Sequence, residues 1–346
     1  MSKHNLLELL NNLLKEHSYH EIANKLNISS GTIKRWIELQ NIPNLYCFDL
    51  MKLANLEIDY TEFTYKEKDQ FYTPPETAKY CYLKSLDIIK QYGDNIDEYH
   101  FIEPSAGNGS FLELMPKNRR IGFDIEPKKE EIIKQDYLEW KPILQNNKYI
   151  VIGNPPFGLR GQLALKFINH SSHFSDYVCF ILPQLFESDG KGVPRKRVTN
   201  LNLIYSEKLK TDFIDPNNKK IKVECIFQIW SKYKTNSNYE IKKYNNDILK
   251  IYSLSDGGTP STTRNKKMFN ECDIYLPSTC FGKENMKYYL HFEDLPNRKG
   301  YGIVFNIDKE ENIKKFKKVE WSDIAFLSTN SAYNIRTSQI KSLFIE

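Results

Sequence analysis

From residue 99 to residue 230 the chain alternates compact apolar runs with short polar stretches. EYHFIEP, RRIGFDI, KYIVIG, DYVCFILP and KVECIFQIW read as strands. GSFLELM and LALKFINHSS read as helices, and another helix is expected between GFDIEP and KQDYLEW. Strands and helices in that alternation predict an α/β fold with a largely parallel, doubly wound, Rossmann-like sheet. Upstream, residues 18–42 predict two short helices around a tight turn. Ile22, Ala23 and Leu26 form the apolar face of the first, and Ile33, Trp36 and Ile37 the stripe of the second. Ser29 or Ser30 is the expected N-cap of that second helix. A longer helix is expected from Glu76, with Thr73 as its N-cap and proline in its first turn. After Ser231 the polar run SKYKTNSNYE reads as a linker. The remainder is rich in Tyr, Phe, Thr and Asn in short-period patterns, as in a mixed or β-rich domain. The predicted division is a small helical domain over 1–58, the α/β domain over 59–235 and a C-terminal domain over 236–346.

A length of 346 residues accommodates those domains. With 40% hydrophobic and 27% charged residues, the composition is that of an ordinary globular protein. No apolar run approaches the ~18 residues of a membrane span. The amphipathic N-terminus lacks the features of a signal peptide. The six cysteines are dispersed without a CxxC pair, which disfavours zinc and a disulfide framework and makes a reducing cytoplasm the expected compartment. A net charge of +5 permits a polyanionic partner without demanding one. Basic runs occur at 191–197 (with Arg195, Lys196 and Arg197), 219–222 and 314–318. Each alone is more often a solvated face.

The chemistry concentrates where strands end. In VIGNPPFG, two prolines forbid both helix and central strand, so the apolar run must stop at Asn154. Pro155, Pro156 and Phe157 then form a rigid loop at a strand's carboxyl end, where open α/β sheets bind ligands. In FIEPSAGNGSFLEL, Glu103 precedes a turn through Ala106 and Gly107 that allows close backbone approach. The glycine spacing is not a dinucleotide fingerprint and no Gly-Lys-Ser/Thr follows, which disfavours phosphate. A carboxylate there suits an ammonium. Asp124 stands about where Rossmann-like folds place an acid on ribose hydroxyls. Phe123 and Ile125 flank it and could sandwich a purine, and Asp136 could accept from an adenine amine. An ammonium, a ribose and an adenine together describe S-adenosylmethionine.

YTPP, EPSAGNGSF, GFDIEP, QDYL and NPPF, in that order, resemble the motifs of the gamma-type amino-methylating DNA methyltransferases acting on adenine N6. The resemblance covers roughly residues 66–232 and departs from many family members in having Glu rather than Asp at position 103. It implies that Tyr72, Thr73 and Pro74 contact the methionine portion of the cofactor, together with Glu103, Ala106 and Gly107. It implies that Asp124 holds the ribose, that Phe123 and Ile125 enclose the adenine, and that Asp136 bonds its amine. Asn154 and the Pro155 carbonyl would accept from the target amine within the rigid Asn154–Phe157 loop, and Phe157 would stack on a flipped base. Asn at 154 favours adenine over cytosine. The absence of a Pro-Cys dipeptide argues against ring-carbon methylation, and no metal is required.

Residues 18–42 resemble a helix-turn-helix, with Thr32, Lys34 and Arg35 outward, although a plain helical hairpin has the same apolar pattern. The C-terminal domain would read sequence. Duplex DNA is the expected partner, and the reading admits a homodimer and a cognate restriction endonuclease. The alternatives are an NPPF-type enzyme acting on cytosine N4, RNA or protein, and a DNA-binding regulator with a degenerate methyltransferase core.

Overall fold

The computed structural model describes residues 5–26, 28–143, 147–188, 193–209, 211–239, 247–254, 271–296, 298–327 and 332–344. Lys191 and Gly192 of the first basic run and residue 240 of the polar linker lie outside the described residues. The central element is a seven-stranded, mostly parallel Rossmann-like sheet. Its strands are β1 (Tyr99–Glu103), β2 (Arg120–Asp124), β3 (Ile133–Lys134), β4 (Lys148–Gly153), β5 (Tyr177–Pro183), β6 (Asn202–Leu209) and β9 (Cys225–Ser231), in the order β3-β2-β1-β4-β5-β9-β6; β7 (Asp212–Ile214) and β8 (Lys220–Lys222) pair as a separate two-stranded sheet. β1 runs parallel to β2 and β4, while β6 and β9 are antiparallel. β4 is buried at every position after Lys148, and β5 at every position before Pro183. Continuous burial is what a strand covered on both faces requires, and it explains why these runs show no polar alternation.

The chain divides into two compact units. The first comprises residues 1–178, 198–200 and 213–220, and the second 179–197, 201–212 and 221–346. In the first, α1 (Leu6–Glu16), α2 (Tyr19–Leu26), α3 (Ser30–Glu38) and α4 (Cys47–Leu53) close around Leu10, Leu13, Ile22, Ala23, Ile33, Trp36 and Leu50. Ser29 is the N-cap of α3, its side chain accepting the Thr32 N–H. Ile37 is only partly buried; the stripe is Ile33 and Trp36. Helix α5 (Pro75–Gln91) starts with proline in its first turn, but Pro74 rather than Thr73 stands at the cap. Thr73 instead turns its carbonyl to the Ser110 hydroxyl at 2.8 Å.

Two expected helices are absent. GSFLELM forms only a single 3-10 turn over Leu112–Leu114. Gly107 and Gly109 take φ of +52° and +81°, and Pro116 follows closely, so too few residues remain to repay helix nucleation. Residues 125–132 form turns between β2 and β3. Among the described residues after β1, the crossover helix of the sheet is α6 (Gln162–Ser171), following β4.

In the second unit, residues beyond 247 form two three-stranded sheets. One is β10 (Leu249–Leu254), β13 (Gly300–Phe305) and β11 (Ile274–Pro277). The other is β12 (Thr279–Phe281), β15 (Ala332–Asn334) and β14 (Phe326–Leu327). They share a core with Phe316, Trp321 and Ile340 from helices and with Phe344, just past the last of them. The region is therefore strand-rich, with helices added. No helix of the described residues is long and apolar enough to cross a membrane.

Ile150 lies at the centre of β4, opposite Phe101 and fully buried. Ile150→Ala should lower stability by about 2–5 kcal/mol, read as a lower urea midpoint with an unchanged slope.

Candidate functional site

Three loops at the carboxyl ends of β1, β2 and β4 meet the segment Lys68–Thr73 around a cavity of about 110 Å3 that lies wholly in the first unit. Tyr72, Thr73, Glu103, Ala106, Gly107, Asp124, Ile125, Asp136, Asn154 and Pro156 line it. The strands supply this convergence: β1, β2 and β4 are parallel neighbours, so their ends emerge side by side. Of the expected residues, Pro74, Phe123, Pro155 and Phe157 are not part of the lining. Phe123 is fully buried inside β2, its ring 4.7 Å from Trp140 and 6.0 Å from Tyr137. Ile125, Tyr137 and Phe167 provide the apolar wall instead. Phe157 is only 7% exposed, and its carbonyl accepts the N–H groups of Leu163 and Ala164 at the start of α6.

Glu103, Asp124 and Asp136 each accept backbone amides. Glu103, 2% exposed, accepts the Leu112 N–H at 2.6 Å, so the short turn after the glycines is capped by the strand end. Burial pushes its carboxyl well above the ordinary carboxylate range, against the pull of the Leu112 and Phe111 amides. Asp124 accepts the Gly107 N–H at 2.7 Å through Oδ2 and the Glu126 N–H at 2.8 Å through Oδ1. Burial raises its pKa as well, with these two amides opposing the rise. Asp136 accepts the Leu138 N–H at 3.0 Å and the Lys52 ammonium, from α4, at 2.6 Å. The acceptor expected for an adenine amine is thus already shared with a lysine.

Tyr72 exchanges main-chain hydrogen bonds with Ile214 at 2.7 and 2.9 Å, which fixes its ring against the glycine turn. A Cβ on Gly107 would come within 3.1 Å of that ring. At the other side, the Asn154 carbonyl accepts the Ser105 hydroxyl at 3.2 Å. The Asn154 side-chain oxygen is buried and has no hydrogen-bond partner among the described residues. An unpaired buried acceptor costs about 1–3 kcal/mol, so this atom awaits a donor. The donor set has a definite chemistry: carboxylates suited to an ammonium and hydroxyls, an apolar wall suited to a flat ring, and an amide oxygen suited to a further amine.

Sequence reading did not single out Lys68, Asp69, Glu126 or Lys52. Lys68, its side chain 9% exposed, pairs with Glu126 at 2.6 Å. These contacts join segments far apart in the chain, and no local spacing announces them.

The expected nucleic-acid contacts lie elsewhere. Thr32 is partly exposed, and Lys34 and Arg35 are exposed on α3. In the second unit Arg195 is committed to its own backbone, donating to the carbonyls of Phe186 at 3.0 Å and Ser188 at 3.1 Å. Its guanidinium also lies over the Tyr239 ring. Lys196 is exposed and Arg197 partly so.

No protein-family model and no curated protein matches the chain. Among solved structures, a Pyrococcus horikoshii protein whose description names an RNA methyltransferase is similar at 18% identity, with a TM-score of 0.35 over 47% of this chain and 86% of that one. A structure of a type I restriction–modification system is similar at 14% identity, TM-score 0.34, over 62% of this chain and 58% of that one. A Thermoplasma acidophilum protein is similar at 18% identity, TM-score 0.32, over 45% and 89%. Likenesses this remote concern the fold alone.

Gly107→Ala places a side chain in the left-handed region against Tyr72. It should lower stability by about 1–2 kcal/mol, measured by urea denaturation.

Proposed function

We propose that the chain is an S-adenosylmethionine-dependent methyltransferase whose target is an exocyclic amine, the N6 of adenine in duplex DNA. The observation that carries this reading is the buried, unpartnered Asn154 Oδ1 in the wall of a cavity whose other walls are carboxylate and apolar. The five ordered motifs, YTPP to NPPF, supply the choice of a nucleic-acid amine. In this reading Glu103 faces the ammonium of the cofactor, Asp124 its ribose, and Ile125, Tyr137 and Phe167 its adenine. When bound, the cofactor would supply an electrophilic methyl group, its sulfonium leaving as the thioether of S-adenosylhomocysteine, and the methylated nitrogen would afterwards lose its surplus proton to water.

An exocyclic amine is a poor nucleophile because its lone pair is delocalised into the ring. Asn154 Oδ1 and the Pro155 carbonyl, accepting one N–H each, draw the nitrogen towards tetrahedral geometry and free the lone pair. No prior deprotonation is needed; catalysis is positioning and electrostatics. The amine satisfies the orphaned acceptor, so some of the binding free energy comes from relieving a penalty the free protein carries. A base must leave the duplex to reach this loop, which costs a few kcal/mol, and stacking on an aromatic ring returns about 1–3 kcal/mol. Phe157 is the ring expected to do so. It is only 7% exposed, so a face-on stack requires the loop to shift. Thr32, Lys34 and Arg35 on α3 and the strand-rich C-terminal region are the candidate DNA contacts, with Lys196 and Arg197 as backbone contacts.

Labelled S-adenosylmethionine incubated with mixed-sequence duplex DNA, RNA and protein, followed by nucleoside mass spectrometry, tests the proposal. N6-methyladenine from DNA is expected. Asn154→Ala should lower the rate by roughly 10²-fold or more while cofactor affinity is kept. Label in RNA or protein would replace the substrate, and no label in any of them with cofactor bound would overturn the enzymatic reading.

The elevated Glu103 carboxyl gives a second test. An ammonium in the same cavity favours the ionised form, so binding lowers this pKa and expels a proton wherever the free protein holds Glu103 protonated. Cofactor affinity should therefore rise with pH up to the raised Glu103 pKa and flatten above it. Calorimetry in buffers of different ionisation enthalpy reads the proton, and Glu103→Gln should reduce both the slope and the release.

A further inference from the structure

The segment that carries Tyr72 also carries a carboxylate without a role in the reading above. Asp69 sits in the left-handed region at φ +53°, which Asp tolerates better than most side chains. One of its oxygens, Oδ2, accepts the N–H of Phe157 at 2.6 Å and that of Gly158 at 2.8 Å. Pro155 and Pro156 have no N–H to offer. The first two main-chain donors after Asn154 therefore both end on Asp69. The loop has little freedom on its other side: a Cβ on Gly158, itself at φ +64°, would lie 2.6 Å from that of Leu163. Asp69 also lines the cavity, and burial raises its carboxyl pKa against the pull of the two amides. Its neighbours along the segment reach the other loops. Lys68 pairs with Glu126, two residues beyond Asp124, and Tyr72 packs on Gly107.

We infer that Asp69 is a positioning residue for the amine acceptors of the Asn154–Phe157 loop, an inference that rests on the proposed function. By fixing the Phe157 and Gly158 amides, its carboxylate sets the direction of the Pro155 carbonyl and the Asn154 side chain, so that one amine meets both. Its Oδ2 is committed to those two main-chain amides, so it acts through the loop. An amide oxygen in the same place can accept both N–H groups, though without the charge that makes such bonds roughly twice as strong. A methyl group accepts none. The order of loop order and of turnover is therefore wild type, Asp69→Asn, Asp69→Ala.

The test uses the full chain in these three forms with three readouts: amide hydrogen exchange over residues 154–161, calorimetric affinity for S-adenosylmethionine, and single-turnover methyl transfer with saturating cofactor. In Asp69→Ala, exchange at Phe157 and Gly158 should accelerate about tenfold or more, consistent with the loss of one to two hydrogen bonds. Exchange over residues 101–124 and cofactor affinity should stay unchanged. The transfer rate should fall by roughly 10²-fold, the effect of about 1 Å of misplacement, with the cofactor KM unmoved. Asp69→Asn should recover most of both losses; should Asp69→Ala not fold, Asp69→Asn is read alone and must show smaller changes of the same sign. Unchanged exchange at Phe157 and Gly158 overturns the inference, as does full turnover with a loosened loop. If the wild type methylates nothing, the proposed function falls, while exchange still decides whether Asp69 sets the loop.

Discussion

The arrangement depends on one constraint, an amide oxygen that is buried and kept unpaired. Asn154 follows a strand whose every residue after Lys148 is buried, and two prolines prevent the chain from relaxing into any regular structure that would cover that oxygen. Three anchors hold the loop in this state. Ser105 donates to the Asn154 carbonyl, Asp69 takes the two amides beyond the prolines, and the Phe157 carbonyl receives the first amides of α6. The side-chain oxygen is the group left over. A polar atom left unsatisfied at a cost of about 1–3 kcal/mol, within a loop whose main chain is so firmly tied, is how a site stores selectivity for a donor.

The electrostatics of the cavity follow from the same principle. Glu103, Asp124 and Asp69 all bring carboxylates into poorly hydrated surroundings, and burial raises the pKa of each. Among the described residues none of the three forms an ion pair; backbone N–H groups hold them instead, two for each of Asp69 and Asp124. Amide dipoles moderate the charge without cancelling it. These three carboxylates keep their charge for a cation, whereas Glu126 and Asp136 of the same wall are paired with Lys68 and Lys52. Lys68 bonds Glu126 rather than Asp124.

Much of this was legible from local signals. The strands were visible because parallel strands buried on both faces are continuous apolar runs, and the proline pair marked where β4 had to end. The Ser29 cap and the Ile33–Trp36 stripe of α3 were visible for the same local reasons. Misreadings came where tertiary structure overrode propensity. GSFLELM has a helical pattern, but two left-handed glycines and Pro116 leave it one turn, and the Glu103 carboxylate supplies the cap that a longer helix would have supplied for itself. Phe123 looked like a purine neighbour of Asp124. Alternation along β2 turns it to the opposite face, into Tyr137 and Trp140, while Ile125 lies past the strand end where alternation no longer applies. Asp69 had no local signature at all, because its bonds reach loops 88 and 89 residues away.

Two side-chain pairs tie the helical N-terminal segment to the α/β part. Lys52 of α4 bonds Asp136 at 2.6 Å, and Asp49 of the same helix pairs with Lys166 of α6 at 3.2 Å. Both pairs are substantially exposed on at least one side, so each contributes at most about 1 kcal/mol and neither explains why the helices fold. Their own core of Leu10, Ile22, Ile33, Trp36 and Leu50 does that. What the Lys52 bond changes is chemistry. Asp136 is 18% exposed at the cavity rim, and a lysine that screens its charge weakens it as an acceptor for any ligand amine that shares it. Because the pair is weak, a ligand donor can share or displace it at little cost. The strength of the Asp136 acceptor therefore depends on where α4 sits, a dependence that the five motifs of the α/β segment, which begin downstream of α4, do not contain.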